Sequence, residues 1–449
     1  MKHILIIIAC FCPLFLFAQN VLTTLQDMHS VVKGETWEKI AESHGVSVLE
    51  LQAANPDVVS KKLKKGTLLI LPNKAVSNEP ADEGPDKQQP GIIRTNISDL
   101  KVGVMLPFSN KKMVEFYRGL LMAADSVRQS GVSIDIFAWD SDTQTTQIEA
   151  KGDDSQPMLQ KLAELDVFFC QAPLALAQTI SEVCKTNGTR LVFPFWNEQT
   201  HLDQDFPLLY NATASNATLY NVAAKKQMSY YPDKSYVVVH SGTPDRIGQT
   251  LTESVLQATS KQNISHRTLE LEADDFAYES AFNQFRDNVI VLDDSSQRSL
   301  NILLARLGDF RKLHPDYRLS ILGHSTWQAE TERLLKDFFA LDTYIISPYY
   351  YNVLTEKTKH LERTYAKNFR THIAKSYPRY AALGFDLGHY FLQGLSSLGD
   401  TFELRQHTLL QEPYQNRFCF ERSTGGMGFT NNFVQFIHFT TQEKIELIR

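Results

Sequence analysis

Residues that could carry out chemistry occur along the whole chain, and their spacing decides whether they can act together. The run from Gly323 to Trp327 (G-H-S-T-W) imitates the G-x-S-x-G turn that presents a nucleophilic serine, but it lacks the final glycine of that tight turn. The acidic pairs Asp274-Asp275 and Asp293-Asp294 stand where strands end or helices begin, which is typical of capping carboxylates rather than of a metal pair. We therefore expect no catalytic residue and no enzymatic activity.

Metal and cofactor motifs are equally weak. No two histidines have the H-E-x-x-H spacing of a zinc helix, and Cys170, Cys184 and Cys419 lack C-x-x-C spacing. The glycines of 425–428 have no strand-to-helix context and indicate a hairpin turn, not a dinucleotide loop. We expect no metal and no cofactor, and the sequence leaves open whether Cys170 and Cys184 form a disulfide or remain two buried thiols.

From Leu100 onward, short apolar runs alternate with amphipathic segments. The strand-like runs are Lys101–Leu106, Ile134–Ala138, Val167–Cys170, Leu191–Phe193, Tyr236–Val239, Asn288–Leu292, Leu319–Leu322 and Thr343–Ile346. The helix-like segments are Val114–Gln129, Ala175–Lys185, Gly248–Ser260, Gln297–Leu313 and Leu361–Ser376. This α/β alternation predicts parallel sheets covered by helices on both faces, and the length requires two lobes.

Ligands of open α/β sheets bind beyond the carboxyl ends of the strands. The loops that follow the strands are therefore predicted to line a ligand-binding cleft between the lobes. Residues of these loops that could contact a ligand are Phe108, Asp140, Gln171, Trp196, Asn197, Ser241 and Tyr349. The aromatic members could stack on a sugar or a peptide, or they could simply pack the lobes together. The sequence does not distinguish these two roles.

Three stretches, K-V-G-V-M-L-P-F from Lys101, V-E-F-Y-R-G-L-L-M-A-A-D-S-V from Val114 and R-Y-A-A-L-G-F-D-L-G-H-Y-F from Arg379, resemble type I periplasmic-binding-protein-like receptors. The resemblance covers 99–449 and implies two Rossmann-like lobes. Lobe 1 would hold about 99–215 with 379–415, lobe 2 about 216–378, and 416–449 would form C-terminal strands. Amino-acid receptors of this group bind their ligand with a serine-bearing loop, whereas this chain has Gln171-Ala172-Pro173, which argues against an amino-acid ligand.

The segment 28–72 predicts a small separate module. A short strand precedes a G-E-T turn, Thr36 is a candidate N-cap, and apolar residues predict two short helices before a closing strand near residue 70. This pattern resembles a LysM domain, a βααβ module that binds the N-acetylglucosamine backbone of peptidoglycan and chitin. Carried over by motif position, the resemblance implies a glycan groove formed by Gly34, Glu35, Thr36, Trp37, Asn55, Pro56, Asp57 and Val58.

The N-terminal residues predict export. A charged start, an apolar run and a small-residue exit within 1–19 indicate a secretory signal peptide, although the I-I-A-C stretch at Cys10 also resembles a lipobox whose cysteine would carry a lipid anchor. Between 73 and 98 the composition turns to prolines, glycines and charges, which predicts a disordered linker. A formal net charge of −6 does not favour nucleic acid, and no membrane span is expected in the mature chain.

These features together predict an exported, non-enzymatic protein of the periplasm or cell envelope. Its LysM-like module would bind peptidoglycan, and its receptor-like domain would bind a small solute. The pairing resembles a class of exported Bacteroidetes proteins. Two alternatives remain: a protein–protein regulator that contacts a cell-wall synthase, as some outer-membrane lipoproteins with receptor-like domains do, and a substrate-binding component of an ABC transporter.

Overall fold

The computed structural model describes residues 28–44, 48–53, 55, 58, 63–65, 67–71, 94–143, 156–195, 202, 204–230, 233–423 and 425–449. The expected signal peptide, the lipobox-like cysteine and 73–93 of the expected linker lie outside these ranges. The chain divides into two compact units, of which the larger consists of Asn96–Leu398 and Phe402–Arg449.

The secondary-structure elements follow the order expected from the sequence. The strands are β1 (Met28–Ser30), β2 (Leu68–Ile70), β3 (Asp99–Leu106), β4 (Ser133–Asp140), β5 (Val167–Cys170), β6 (Arg190–Phe193), β7 (Leu209–Asn211), β8 (Ser235–His240), β9 (His266–Glu270), β10 (Asn288–Leu292), β11 (Leu319–Gly323), β12 (Thr343–Ser347), β13 (Phe420–Arg422), β14 (Phe429–Asn431), β15 (Gln435–Phe439) and β16 (Ile445–Ile448). The helices are α1 (Trp37–His44), α2 (Val48–Ala53), α3 (Lys111–Arg128), α4 (Gln156–Leu162), α5 (Leu174–Asn187), α6 (Asn216–Tyr230), α7 (Arg246–Lys261), α8 (Asp275–Ala281), α9 (Gln297–Leu313), α10 (Thr331–Ala340), α11 (Glu356–Phe369), α12 (Tyr380–Leu398) and α13 (Phe402–Arg405).

The N-terminal unit has the βααβ order predicted from its sequence. Strands β1 and β2 pair antiparallel, with Met28 opposite Ile70. The two helices bury their apolar stripes against this pair, so that the small core consists of Val31, Ile40, Ala41, Leu51 and Leu69. Trp37, Val48, Val58, Leu63 and Leu71 are partly buried and pack against this core.

The first lobe of the large unit contains a seven-stranded sheet in the order β13-β14-β7-β6-β5-β3-β4. The strands from β14 to β4 run parallel, and β13 is antiparallel at the edge. Strand β5 is buried at every position, as expected of a parallel strand covered by helices on both faces.

The second lobe contains a seven-stranded sheet in the order β16-β15-β12-β11-β10-β8-β9. Strands β12 to β9 are parallel, whereas β15 and β16 join as antiparallel strands at the other edge. The C-terminal residues are therefore shared between the lobes, because β13 and β14 belong to the first sheet and β15 and β16 to the second. Two mostly parallel sheets with covering helices confirm the predicted α/β fold class.

Helices α3 and α12 cross at very close range on the first lobe. A Cβ atom added at Gly119 would lie 2.0 Å from the Ala381 carbonyl oxygen, and one added at Gly384 would lie 2.0 Å from the Phe116 carbonyl oxygen. Only glycine at both positions lets the two backbones approach this far. The return of 380–398 to the first lobe, expected from the sequence, depends on this pair.

Helix α11 differs from the expectation in length and in neighbours. It begins at Glu356 and ends at Phe369 because Arg370 adopts a left-handed conformation with φ of 53°, whereas the sequence predicted a helix over Leu361–Ser376. Its buried Leu361 and Tyr365 pack with Met122 of α3 and with α12. The segment was expected in the second lobe, but it packs on helices of the first lobe.

Three connections join the two sheets. They run from β7 to α6, from β12 to α11 and from β14 to β15. Asn431, at the end of β14, links the β14–β15 connection to the β7–α6 connection, because its side-chain amide donates to the Ala212 carbonyl (3.1 Å). Its side-chain oxygen also accepts from the Cys419 N–H (2.9 Å). This buried asparagine fixes the path of the chain between the lobes.

Candidate functional sites

The first half of the expected glycan groove is a tight turn. Gly34 has φ of 94°, a conformation that L side chains rarely adopt, and its surroundings are open. The Glu35 carboxylate accepts a hydrogen bond from the Val32 N–H (2.7 Å) and contacts His29 Nε2 at 2.8 Å. Glu35 therefore holds the turn in shape, while Gly34 leaves it open to solvent.

Thr36 and Trp37 begin helix α1. Thr36 is exposed, its carbonyl accepts from the Ile40 N–H (3.1 Å), and its Oγ1 lies 3.5 Å from the Lys39 nitrogen as a weak cap. Trp37 is half-buried and packs against the small core. Part of the Trp37 indole therefore serves packing, and part remains accessible.

The second half of the groove is described only in part, since Pro56 and Asp57 lie outside the described residues. Asn55 is 6% exposed, and its amide donates to the Leu51 carbonyl (2.7 Å), which caps the end of α2. The Val58 N–H donates to the Asn55 carbonyl (3.0 Å), and Val58 packs on the same core as Trp37. Trp37 and Val58 thus meet on one core, whereas the Asn55 side chain shapes the loop.

A chain of two histidines and one carboxylate was not expected from the sequence. His44 Nε2 lies 3.0 Å from His29 Nδ1, and His29 Nε2 lies 2.8 Å from the Glu35 carboxylate. The hydrogen bond from Val32 and then that from His29 lower the pKa of Glu35. Residues 29, 35 and 44 show no motif spacing, so only the fold brings them together.

In the large unit, three expected cleft residues follow adjacent strands of the first sheet. The Phe108 N–H donates to Asp140 Oδ1 (3.2 Å), and the same oxygen accepts from the Asp142 N–H (3.1 Å). The Gln171 N–H donates to the Met105 carbonyl (2.8 Å), and among the described residues its side-chain oxygen is buried without a hydrogen-bond partner. Phe108, Asp140 and Gln171 therefore lie at the carboxyl ends of neighbouring strands of the first sheet.

Ser241 and Tyr349 follow strands of the second sheet. The Ser241 N–H donates to Asp293 Oδ1 (2.8 Å), while Asp293 Oδ2 lies 3.0 Å from His240 Nδ1. Tyr349 follows β12, and its pKa is raised by burial and by the neighbouring Tyr380 and Tyr220 hydroxyls. Tyr220 belongs to α6 and Tyr380 to α12, and these helices lie in different lobes, so Tyr349 lies among side chains of both lobes. The other two expected cleft residues, Trp196 and Asn197, lie outside the described residues.

The N-terminal module can be assigned to a family. Residues 29–72 match the family model described as LysM domain. This stretch is a LysM domain. The match begins and ends within one or two residues of the expected boundaries and agrees with the βααβ order of the structure.

Solved structures share the fold of the large unit. A Rhodospirillum rubrum protein assigned to branched-chain amino acid ABC transport is 12% identical, with a TM-score of 0.53, and the match covers 78% of this chain and 100% of that one. LpoA from Haemophilus influenzae is 14% identical, with a TM-score of 0.50, and the match covers 79% of this chain and 59% of that one. The large unit therefore has the bilobed fold of type I periplasmic binding proteins. No curated protein matches the chain.

In the receptor-like unit, Gly323, His324 and Trp327 of the G-H-S-T-W motif pack in the interior. A Cβ atom at Gly323 would lie 2.3 Å from the Trp327 ring, and the Trp327 indole N–H donates to the Ser295 carbonyl (3.1 Å). His324 is fully buried, and its Nε2 lies 3.1 Å from the Leu292 carbonyl oxygen. Gly323 of the G-H-S-T-W motif therefore leaves the space that the Trp327 ring occupies.

The remaining motifs of the receptor-like unit have structural roles. Asp274 is the N-cap of α8, and its side chain accepts from the Ala277 N–H (2.9 Å). Residues 425–428 lie between the antiparallel strands β13 and β14, in the predicted hairpin turn. Cys170 and Cys184 are buried free thiols, and burial raises the pKa of Cys184 to about 12. Within the described ranges, no group of three His, Cys, Asp or Glu side chains could hold a metal, and no helix has the length and apolarity to cross a bilayer.

Proposed function

We propose that this chain is a non-enzymatic cell-envelope protein that attaches to peptidoglycan through its LysM domain and binds a solute between the lobes of its receptor-like domain. The observation that carries the proposal is the LysM match at 29–72. LysM domains bind glycans that contain N-acetylglucosamine, and peptidoglycan is the polymer of this kind in a bacterial envelope. One LysM copy implies modest affinity without avidity.

The glycan would lie along the turn of 34–37 and the loop of 55–58. Gly34 and Thr36 are exposed there, and the accessible part of the Trp37 indole offers an apolar face to a pyranose ring. Backbone and hydroxyl groups of the turn would bind the acetamido substituents. Asn55 and Glu35 would contribute indirectly, because their side chains hold the two loops in shape.

Sedimentation with purified peptidoglycan tests this proposal. The full chain should sediment, and deletion of 28–72 should abolish sedimentation. Thr36→Ala should weaken binding several-fold, since it removes an exposed hydroxyl of the groove at the cost of only a weak helix cap of about 0.5–1 kcal/mol.

The matched control is Glu42→Ala, which changes an exposed position on the same helix α1. We expect it to sediment like the wild type. If Thr36→Ala also sediments like the wild type, the groove assignment is wrong. If the deletion variant still sediments, the receptor-like unit itself recognises the wall.

A second candidate is a protein–protein regulator of cell-wall synthesis. It is supported by the internal use of polar groups at the expected cleft: the Asp140 carboxylate is bound by two backbone N–H groups, and the Ser241 N–H is bound by Asp293. Tyr349 is likewise surrounded by tyrosines of both lobes. A cleft filled by its own side chains would leave the outer surfaces as the means of recognition.

A further inference from the structure

A cavity of about 270 Å³ lies beside the connections between the lobes. Its walls come from three places: the β12–α11 connection with the first turn of α11, the stretch 413–417 that precedes β13, and strands β15 and β16. The expected cleft residues that the structure describes are not among the residues that line it.

The lining is strongly cationic. Lys357, Arg417 and Arg449 line the cavity, and its described lining residues include no aspartate or glutamate. The other polar lining residues are neutral, including Asn352, Thr355, Thr358, Gln415 and Gln435. Three positive side chains around one small volume repel each other unless an anion joins them.

Arg417 lines this cavity and is partly buried. Its Nε is buried and, within the described part of the chain, has no hydrogen-bond partner. Burial lowers the pKa of Arg417, and the next largest influence is the positive charge of Arg449, which lowers it further. A buried donor without an acceptor costs free energy. Because Arg417 also lines the cavity, its guanidinium is placed to donate to an oxygen ligand there.

Lys357 and the start of helix α11 add to the positive wall. The Lys357 ammonium donates to the Glu412 carbonyl and lies 5.0 Å from the centre of the Tyr414 ring, which leaves further N–H groups to donate. Thr355 caps the helix by accepting from the Thr358 N–H (3.1 Å), so the positive end of the helix dipole faces the same region.

Nearby carboxylates do not neutralise Arg417. Asp386 lies behind Gln415 and is bound by the backbone N–H groups of Tyr414, Gln415 and Asn416 at 2.7–2.8 Å. Burial raises the pKa of Asp386 to about 7, although the three backbone N–H groups and the Lys357 charge lower it. The terminal carbonyl oxygen of Arg449 accepts from the Tyr230 hydroxyl (3.1 Å).

We propose that this cavity binds the carboxylate or phosphate group of a small molecule, with the Arg417 guanidinium as the principal contact and Lys357 and Arg449 as supporting charges. A planar guanidinium presents paired N–H donors that match two oxygens of such a group. Among the described residues, the lining includes none of those expected to form the interlobe cleft or the LysM groove.

Binding there would affect the relation between the lobes. Arg417 precedes a strand of the first sheet, whereas Gln435 and Arg449 belong to or follow strands of the second. A ligand held by both groups favours the interlobe arrangement in which they converge. The site therefore offers a means of regulating the receptor-like domain from outside its cleft.

The test is a titration of the full chain with inorganic phosphate and, in a separate series, with glutarate, at constant ionic strength and pH 7.5. Melting temperature and calorimetric heat are recorded. We expect a saturable rise in melting temperature with at least one of the two anions. The series that saturates distinguishes a phosphate group from a carboxylate as the preferred ligand.

Arg417→Gln keeps a polar side chain and removes the charge, and it should weaken binding about tenfold or more, as expected for charge-assisted hydrogen bonds. Arg363→Gln is the matched control, since Arg363 is 65% exposed and does not line the cavity. Lys357→Gln provides a second variant should Arg417→Gln fold poorly. The proposal would be overturned if neither anion gave a saturable response. It would also be overturned if Arg417→Gln and Lys357→Gln both bound the anion as tightly as the wild type.

Discussion

His324 shows how a residue can look catalytic in a sequence and serve the interior of the fold. It directly precedes the serine of the G-H-S-T-W motif, yet its ring is fully buried and packs edge-on against Trp327 and Tyr220. Burial lowers the pKa of His324 to about 4, in spite of the carboxylates of Asp245 and Asp294 nearby. The imidazole is therefore neutral in the folded protein at any ordinary pH.

A neutral buried histidine predicts a loss of stability in mild acid. The unfolded chain binds a proton at His324 below its ordinary pKa of about 6.5, whereas the folded protein does not until about pH 4. The free energy of unfolding should thus fall as the pH drops from about 6.5 to about 4, with His324 contributing up to about 3 kcal/mol of this loss. Urea unfolding at several pH values measures it.

His324→Gln should remove this component, since glutamine does not titrate but retains an N–H donor for the Leu292 carbonyl. His372→Gln, at an exposed histidine, is the control and should keep the pH dependence of the wild type. Identical pH profiles for His324→Gln and the wild type would contradict the assignment.

At the scale of elements, the contact between α3 and α12 determines where the long C-terminal helix lies. Gly119 and Gly384 face the backbone of the opposite helix, so the two helices are in contact over main-chain atoms. Such an approach increases dispersion contacts between the helices, but it tolerates no added methyl group.

Gly384→Ala should destabilise the receptor-like unit by about 1–3 kcal/mol, because its Cβ would collide with the Phe116 carbonyl and the helices would have to separate. Gly308→Ala is the matched comparison: this glycine lies within helix α9, and an added Cβ would meet nothing within 4 Å. It should stabilise by about 0.5–1 kcal/mol through helix propensity. Chemical denaturation compares the two, and equal effects would refute the argument from helix contact.

At the scale of the whole molecule, the two hypotheses for the receptor-like domain differ in their response to small molecules. A solute receptor is stabilised by its ligand through mass action, by about 2.7 kcal/mol at a ligand concentration a hundred times Kd. A protein-binding regulator shows no such response. The two connected lobes permit either function, because they can close around a solute or present a surface to a protein partner.

We expect a thermal-shift screen of the full chain against peptides, muropeptides, sugars and amino acids to identify a stabilising ligand. The screen should be repeated with Arg417→Gln, so that anions bound at the connections are not mistaken for cleft ligands. A saturable shift retained in that variant supports the solute receptor. A cooperative melt that no compound shifts, together with capture of a purified cell-wall synthase, would favour the regulator.

The sequence alone determined the features whose cause is local. The LysM pattern depends on a turn, a cap and two short apolar stripes within about fifty residues, and these signals act over one or two helical turns. Strands such as Val167–Cys170 and Asn288–Leu292 were predicted with their observed bounds because buried parallel strands are continuous apolar runs. The loops at the strand ends followed from the same pattern.

Only the tertiary structure decided how distant segments share a sheet, a helix contact or a charged cavity. The strand His266–Glu270 is mostly exposed at a sheet edge and carries no apolar signal, and Leu209–Asn211 has only three residues. The division of the C-terminal strands between two sheets, and the convergence of Lys357, Arg417 and Arg449, depend on contacts between residues far apart in the chain. Such contacts leave no periodic pattern in the local sequence, so they can be identified only from the folded structure.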